Sequence, residues 1–391
     1  MSTDDVRSVD PRVADLIGAE EGRRADTVSL VASEVVSTPA VRAALASEFG
    51  DKYAEGYPGR RYQGGCEVAD ELEELATARA RDLFGAQYAN VAPLSGSAAS
   101  QAVYAAFAQP GDAVLALSLR HGGHQTHGSR ANFSGRWFTP VSYQVEMAGE
   151  RIDYDLLRES AMFHKPRILV AGGSGYSRHI DFAAMRSIAD EVGCVLWIDA
   201  AHIAGLSIAG IGPSPTDFAD VVTVSTQKIM RGPRGGVILA RAEHADALSR
   251  AVYPFLQGGP NMAAIAAKAV AFAESSTPAY REYAQQVVAN ASALAARLVE
   301  GGMRVVSGGT DNHLAVVDVT RSGLSGRAAA DALAAAGIVV DKAVLPFDPA
   351  PVAQGSAIRV GTPTVTANGL GVDDMVVLAD RILDVLAGAK Q

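Results

Sequence analysis

The chain has 391 residues and a formal net charge of −9. That length gives room for a large core and more than one domain, and the acidic balance argues against a surface for nucleic acid or another polyanion. The only two cysteines, Cys66 and Cys194, offer no disulfide framework and suit a reducing cytoplasm. No apolar run approaches the roughly 20 residues of a membrane span, and the polar, acidic N-terminus does not read as a signal peptide.

In chain order, residues 1–28 read as a polar arm with a helix over Arg12–Arg23. Ser33 then stands before a helix starting near Thr38, where it is either a cap or a ligand contact. The stretch Lys52–Gly65 is rich in Gly, Tyr and Arg and has neither helical nor strand periodicity. It is expected to be a functional loop. A helix over Ala69–Phe84 is closed by Gly85. Ser95, Gly96 and Ser97 open the next helix, Ala98–Ala108. Such a start is a common cap and also a ready phosphate site, because its amides are free and the helix dipole is positive there.

Strands are expected at Asp112–Leu117, Arg167–Ala171, Cys194–Ile198, Val221–Val224 and Val237–Ala240. Alternating with helices, they imply an α/β fold with a mostly parallel sheet covered on both faces. Ligands of such sheets gather at the carboxyl ends of the strands, where Ser174, Asp199 and Lys228 fall. His121, His124 and His127 lie between glycines, but no convincing carboxylate or cysteine accompanies them. No metal site is expected. Lys228 follows Ser225, Thr226 and Gln227 and precedes Arg231 and the glycines of GPRGG. It is either a solvated strand-end lysine or a Schiff-base lysine for pyridoxal 5'-phosphate. Asp199 favours the second reading, since a carboxylate beside the pyridine nitrogen keeps that nitrogen protonated. Further on, helices are expected at Ala284–Glu300, Gly326–Ala336 and Asp373–Leu386, with a strand at Leu314–Val319.

The segments LVASE (30–34), DKYAEGYPGRRYQGG (51–65), PLSGSAAS (93–100), HGGHQTHG (121–128), IDAAHIAGL (198–206), TQKIMRGPRGG (226–236), VSGGTDNHL (306–314) and IRVGTP (358–363) resemble serine hydroxymethyltransferase, a fold-type-I pyridoxal-phosphate enzyme. The resemblance implies a large cofactor-binding domain over residues 29–283 and a smaller α+β domain over 284–391. It implies that Lys228, Asp199, His124 and Glu55 carry the chemistry. His124 would cover one face of the cofactor ring, and Glu55 would handle the proton of the substrate hydroxyl. Ser95, Gly96, Ser97, Ser174, His202, Ser225 and Gln227 fall at cofactor positions. Tyr53, Gly258 and Gly259 fall at positions that approach a neighbouring subunit's site, so a homodimer or dimer of dimers is implied. Ser33, Tyr53, Glu55, Tyr62, Gln63 and Arg359 match substrate-binding positions. Arg359 would hold the α-carboxylate of an amino acid, for which the guanidinium fork is suited. Leu119 and Gly123 match folate contacts.

Several positions depart from the family pattern. Gln63 stands where the second of two tyrosines is usual, Gln125 where a leucine is, Gln227 where a histidine is, and Ala343 where an asparagine is. Phe255 and Leu256 replace glycines and are expected to narrow the site. Taken together these changes suggest that tetrahydrofolate is a poor partner or none. The resulting expectation is folate-independent Cα–Cβ cleavage or formation on an L-α-amino acid, as in a threonine-type aldolase or transaldolase. The alternatives are ordinary folate-dependent serine/glycine hydroxymethyl transfer, β-elimination or decarboxylation with loss of the amine on a larger amino acid, and a non-catalytic cofactor-binding paralogue.

Overall fold

The structure, a computed structural model, describes residues 3–389; residues 1, 2, 390 and 391, the ends of the expected arm and small domain, lie outside the described part. Its centre is a seven-stranded sheet. In spatial order the strands are Tyr88–Asn90, Gly236–Ala240, Val221–Ser225, Val195–Asp199, Ile168–Ala171, Ala113–Leu117 and Thr139–Tyr143. All neighbours are parallel except Gly236–Ala240, which runs antiparallel to both of its partners.

Every residue of Ile168–Ala171, Val221–Ser225 and Gly236–Ala240 is buried. Their apolar runs therefore lack polar alternation, as expected of strands covered on both faces. The two faces still sort by parity. Leu169, Ala171, Val222, Val224, Val237 and Leu239 enter one core cluster. Ile168, Val170, Val221, Ile238 and Ala240 enter the cluster on the other side with Trp197. Truncating one such residue, as in Leu169→Ala, should cost about 2–5 kcal/mol.

The helices answer to local chemistry. Glu67–Phe84 ends at Gly85, which adopts φ 63°, a left-handed conformation natural to glycine. Pro39–Leu45 is capped by Thr38, whose Oγ1 accepts the Val41 N–H at 3.2 Å. Ser33 is thus not the cap. Gly96–Phe107 is capped by Ser95, whose Oγ accepts the Ala98 N–H at 3.0 Å. The long loop is not wholly irregular: Gly56–Tyr57 and Arg60–Arg61 pair as a minimal hairpin. Arg61, whose side chain is only 3% exposed, braces it by ion pairs to Asp70 at 2.8 Å and Glu73 at 2.5 Å.

A second core surrounds an antiparallel sheet ordered Arg304–Val305, Leu314–Asp318, Ala357–Gly361 and Asp341–Ala343. Helices Pro278–Glu300 and Val372–Gly388 pack on it. Val28–Ser29 pairs in parallel with Ile338–Val339, and Leu30 belongs to this second core. Packing therefore places residues 28–30 with the C-terminal unit, although a boundary at residue 29 would assign Leu30 to the large domain. The helix entering that unit begins at Pro278, ahead of residue 284. Among the described residues, no helix is long and apolar enough to cross a membrane.

Candidate active site

The parallel strands Val195–Asp199 and Val221–Ser225 end side by side. After Ser225 the chain turns sharply. Thr226 donates its N–H to the Gly235 carbonyl at 3.1 Å and its hydroxyl to the Pro233 carbonyl at 2.6 Å. Arg231, at φ 58°, returns its N–H to the Lys228 carbonyl at 2.8 Å. Lys228 is thereby fixed at the mouth of the sheet. It lines a cavity of about 400 Å³ together with Ser33, Ser95, Gly96, Ser97, His124, Ser174, Asp199, His202, Ser225, Gln227 and Arg359. Close packing holds this wall: a Cβ on Gly96 would lie 2.1 Å from Ser225 Oγ.

Electrostatics prepares the groups. Burial pushes the Lys228 amine down to about 8; Arg359 and Arg234 act the same way and Asp199 opposes them. Burial alone would raise the Asp199 carboxyl, but the hydrogen bond and charge of His127, then His124 and Lys228, hold it well below the usual carboxylate range. His127 Nε2 donates to Asp199 Oδ2 at 2.9 Å, while Asp199 Oδ1 accepts from Ala201 N at 3.1 Å and Thr223 Oγ1 at 3.2 Å. Burial pushes His124 down to about 4, so its ring is neutral at physiological pH. His202 is buried and held well below its ordinary value, first by burial and then by Lys228. Its Nδ1 lies 3.2 Å from Nε2 of His313, and the two rings stack.

Arg359 does not stand alone. Its Nε donates to Asp341 Oδ2 at 3.1 Å and its Nη2 to the same oxygen at 2.5 Å. Its Nη1 donates to the Ser174 carbonyl. Asp341 lies directly opposite Arg359 in the strand register. Arg359 and Ser174 also form part of a second cavity of about 290 Å³, lined among others by Leu119, Gly123, Asp341 and Ala343.

The remaining expected residues lie elsewhere. Tyr53, Glu55, Tyr62, Gln63, Gly258 and Gly259 line neither cavity. Tyr53 is 65% exposed and Tyr62 84% exposed. They form a cluster of their own. Gln63 Oε1 accepts the Glu55 N–H at 2.8 Å and its Nε2 donates to Glu55 Oε2 at 2.7 Å. A Cβ on Gly259 would meet Glu55 Cγ at 3.3 Å. Phe255 and Leu256 are exposed here too, at 69% and 38%, so their bulk does not narrow either cavity of this chain. Gln125 is exposed and outside the second cavity as well. Gln227 reaches the first cavity and accepts the Gly235 N–H at 3.4 Å.

The metal question changes in one respect. His124, His127 and Asp199 offer ligand atoms within 4.8 Å of one another. The carboxylate that the histidines lack in sequence arrives from another strand, where it is hydrogen-bonded to His127. Sequence reasoning noted His127 only within a rejected metal site and gave Arg234, in the GPRGG loop, no role; it missed Asp341, which carries no local signal.

The donor set fits pyridoxal phosphate. One cavity offers a helix N-terminus with free amides, a carboxylate held ionised, and a primary amine of depressed pKa. A family profile described as Serine hydroxymethyltransferase matches residues 6–382. A serine hydroxymethyltransferase of Coprothermobacter proteolyticus is 50% identical over 385 residues, 98% of this chain and 93% of the relative. The chain belongs to the serine hydroxymethyltransferase family. Another member, from Paracidovorax citrulli, is 49% identical over 381 residues, covering 97% of this chain and 92% of its own. Membership makes the chain a pyridoxal-phosphate-dependent enzyme of fold type I, and the mostly parallel sheet agrees. It also shifts the balance between the two aldol-type readings. Near-full-length relatives at this identity carry the name of the ordinary transferase. Four of the six changes counted against folate, Gln63, Gln125, Phe255 and Leu256, lie outside both cavities of this chain.

Proposed function

We propose that the chain transfers the hydroxymethyl group of L-serine, with tetrahydrofolate as acceptor, and catalyses the reverse reaction from glycine. This replaces the folate-independent aldolase expected from the sequence. The observation that carries it is the shared wall of Ser174 and Arg359 between the Lys228 cavity and the second cavity. A transfer between two substrates needs two adjoining spaces, whereas aldol cleavage of one amino acid needs only the first.

In this reading, Lys228 supplies the amine that holds the cofactor, with the Ser95–Ser97 helix start receiving its phosphate. When bound, pyridoxal phosphate supplies an electron sink beside the substrate Cα. Asp199, kept ionised by His127, holds a proton on the ring nitrogen. His124 stays neutral and covers the ring without repelling that proton. Arg359, steadied by Asp341, presents its fork to the substrate carboxylate, with Ser33 nearby. Glu55 moves the proton of the serine hydroxyl, and Tyr53, Tyr62 and Gln63 complete the substrate side. Those four belong to the exposed cluster, so a second copy of the chain must deliver them, along with Gly258 and Gly259. A homodimer is the minimal unit. A cytoplasmic setting is part of the proposal; the two free thiols, Cys66 and Cys194, fit it.

The test is conversion of L-serine to glycine with and without tetrahydrofolate. Glycine should form only when folate is present, with one-carbon transfer in equal amount. Aldehyde release at the same rate without folate would restore the aldolase reading, which Ala343 in the second cavity, Gln227 in the first and Gln63 beside Glu55 still support.

A further inference from the structure

Lys268 is only 1% exposed and sits inside the helix Met262–Ser275. A buried ammonium needs compensation. Among the described residues no carboxylate pairs with it; the nearest acidic influence, Glu73, is bound to Arg61 at 2.5 Å. Its Nζ instead donates to three backbone carbonyls, those of Val91 at 2.6 Å, Pro93 at 3.1 Å and Gly236 at 2.9 Å. Those carbonyls flank the Ser95–Ser97 loop. Val91 and Pro93 precede it, and Gly236 begins the strand on which it rests. A Cβ on Gly236 would lie 2.3 Å from the Ser95 carbonyl oxygen. The carbonyl between the two, Ala92, accepts from Gln257 Nε2 at 3.0 Å. Successive carbonyls are thus tied down beneath the loop, which then opens into the helix N-terminus on the cavity side. Gly235 leaves room for this strut, since a Cβ there would meet Lys268 Cε at 2.4 Å.

We propose that Lys268 is a positioning residue for anion binding, whose buried ammonium holds the Ser95–Ser97 loop in the shape that accepts a phosphate monoester. This rests on the reading of that loop as the phosphate site. Lys268 does not touch the ligand; it acts through the three carbonyls. Its loss should therefore weaken the phosphate contact and spare the rest of the site.

The test compares pyridoxal phosphate with pyridoxal, which lacks the phosphate, by equilibrium titration of wild type, Lys268→Met and Lys268→Arg, following the visible absorbance of the bound ligand. Wild type should prefer the phosphorylated form strongly. Lys268→Met should lose about tenfold or more in affinity for it, the scale of hydrogen bonds from a charged donor, and keep its affinity for pyridoxal. Lys268→Arg should recover part of the loss. Should Lys268→Met fail to fold, Gly235→Ala displaces the same side chain and should give the same phosphate-specific loss. Equal losses for both ligands, or no loss, would overturn the proposal while leaving the phosphate site in place. A wild type with no preference for the phosphate would overturn both.

Discussion

Lys228 and Glu55 are assigned to one reaction, yet the fold treats them in opposite ways. Lys228 lies in an enclosed cavity beside Asp199, His124 and Arg359, where burial and charge shift the titrating groups. Glu55 lies in a surface cluster with exposed Tyr53 and Tyr62, where it is hydrogen-bonded to Gln63 and to the Tyr62 N–H. The residues of the first region line one cavity within a single chain. The residues of the second line neither of the two cavities described, and the proposed reaction therefore calls on a second copy to bring them together with the first.

The comparison can be broken most severely on the enclosed side. Lys228→Ala should lower turnover by at least about a thousandfold, as removal of a covalent-catalysis group does. Borohydride should then no longer fix cofactor to the protein; fixation at another lysine would move the centre of the site. Asp199→Asn should keep cofactor bound but cost on the order of a hundredfold in kcat, because the ring nitrogen loses its anionic partner. Near-native kcat would deny Asp199 that role. Arg359→Lys should raise KM for the amino acid by roughly tenfold, since one ammonium replaces a paired guanidinium contact. An unchanged KM would place the carboxylate elsewhere.

The smallest effect is a titration. In cofactor-free protein the Lys228 amine should be half neutral near pH 8, against 10.5 for an ordinary lysine. The neutral amine is the reactive form, so labelling by an amine reagent, mapped by mass spectrometry, should rise with pH and level off above that point. A curve still climbing near about pH 10 would mean that the cavity does not perturb the lysine.

Much of the enclosed half was legible in the sequence. Buried strands announce themselves as apolar runs, and strand ends place Ser174, Asp199 and Lys228 together. The His127–Asp199 bond and the Asp341–Arg359 pair were not legible, because each joins residues from separate elements whose register only the folded sheet sets. The place of the substitutions was not legible either. Gln125, Phe255 and Leu256 adjoin functional residues in sequence, but within one chain they lie exposed and outside both cavities. Residues 28–30 pair with a strand some three hundred positions away, and no local pattern reveals such a partner.

Co-expression of Lys228→Ala with Glu55→Ala tests the shared site most directly. Each variant alone should be inactive. In a mixed dimer, one site would combine Lys228 of one chain with Glu55 of the other and be intact, while the second site would carry both lesions. With random pairing, the mixture should recover about a quarter of wild-type turnover. Activity no greater than the sum of the two single variants would contradict the account and confine the site to one chain.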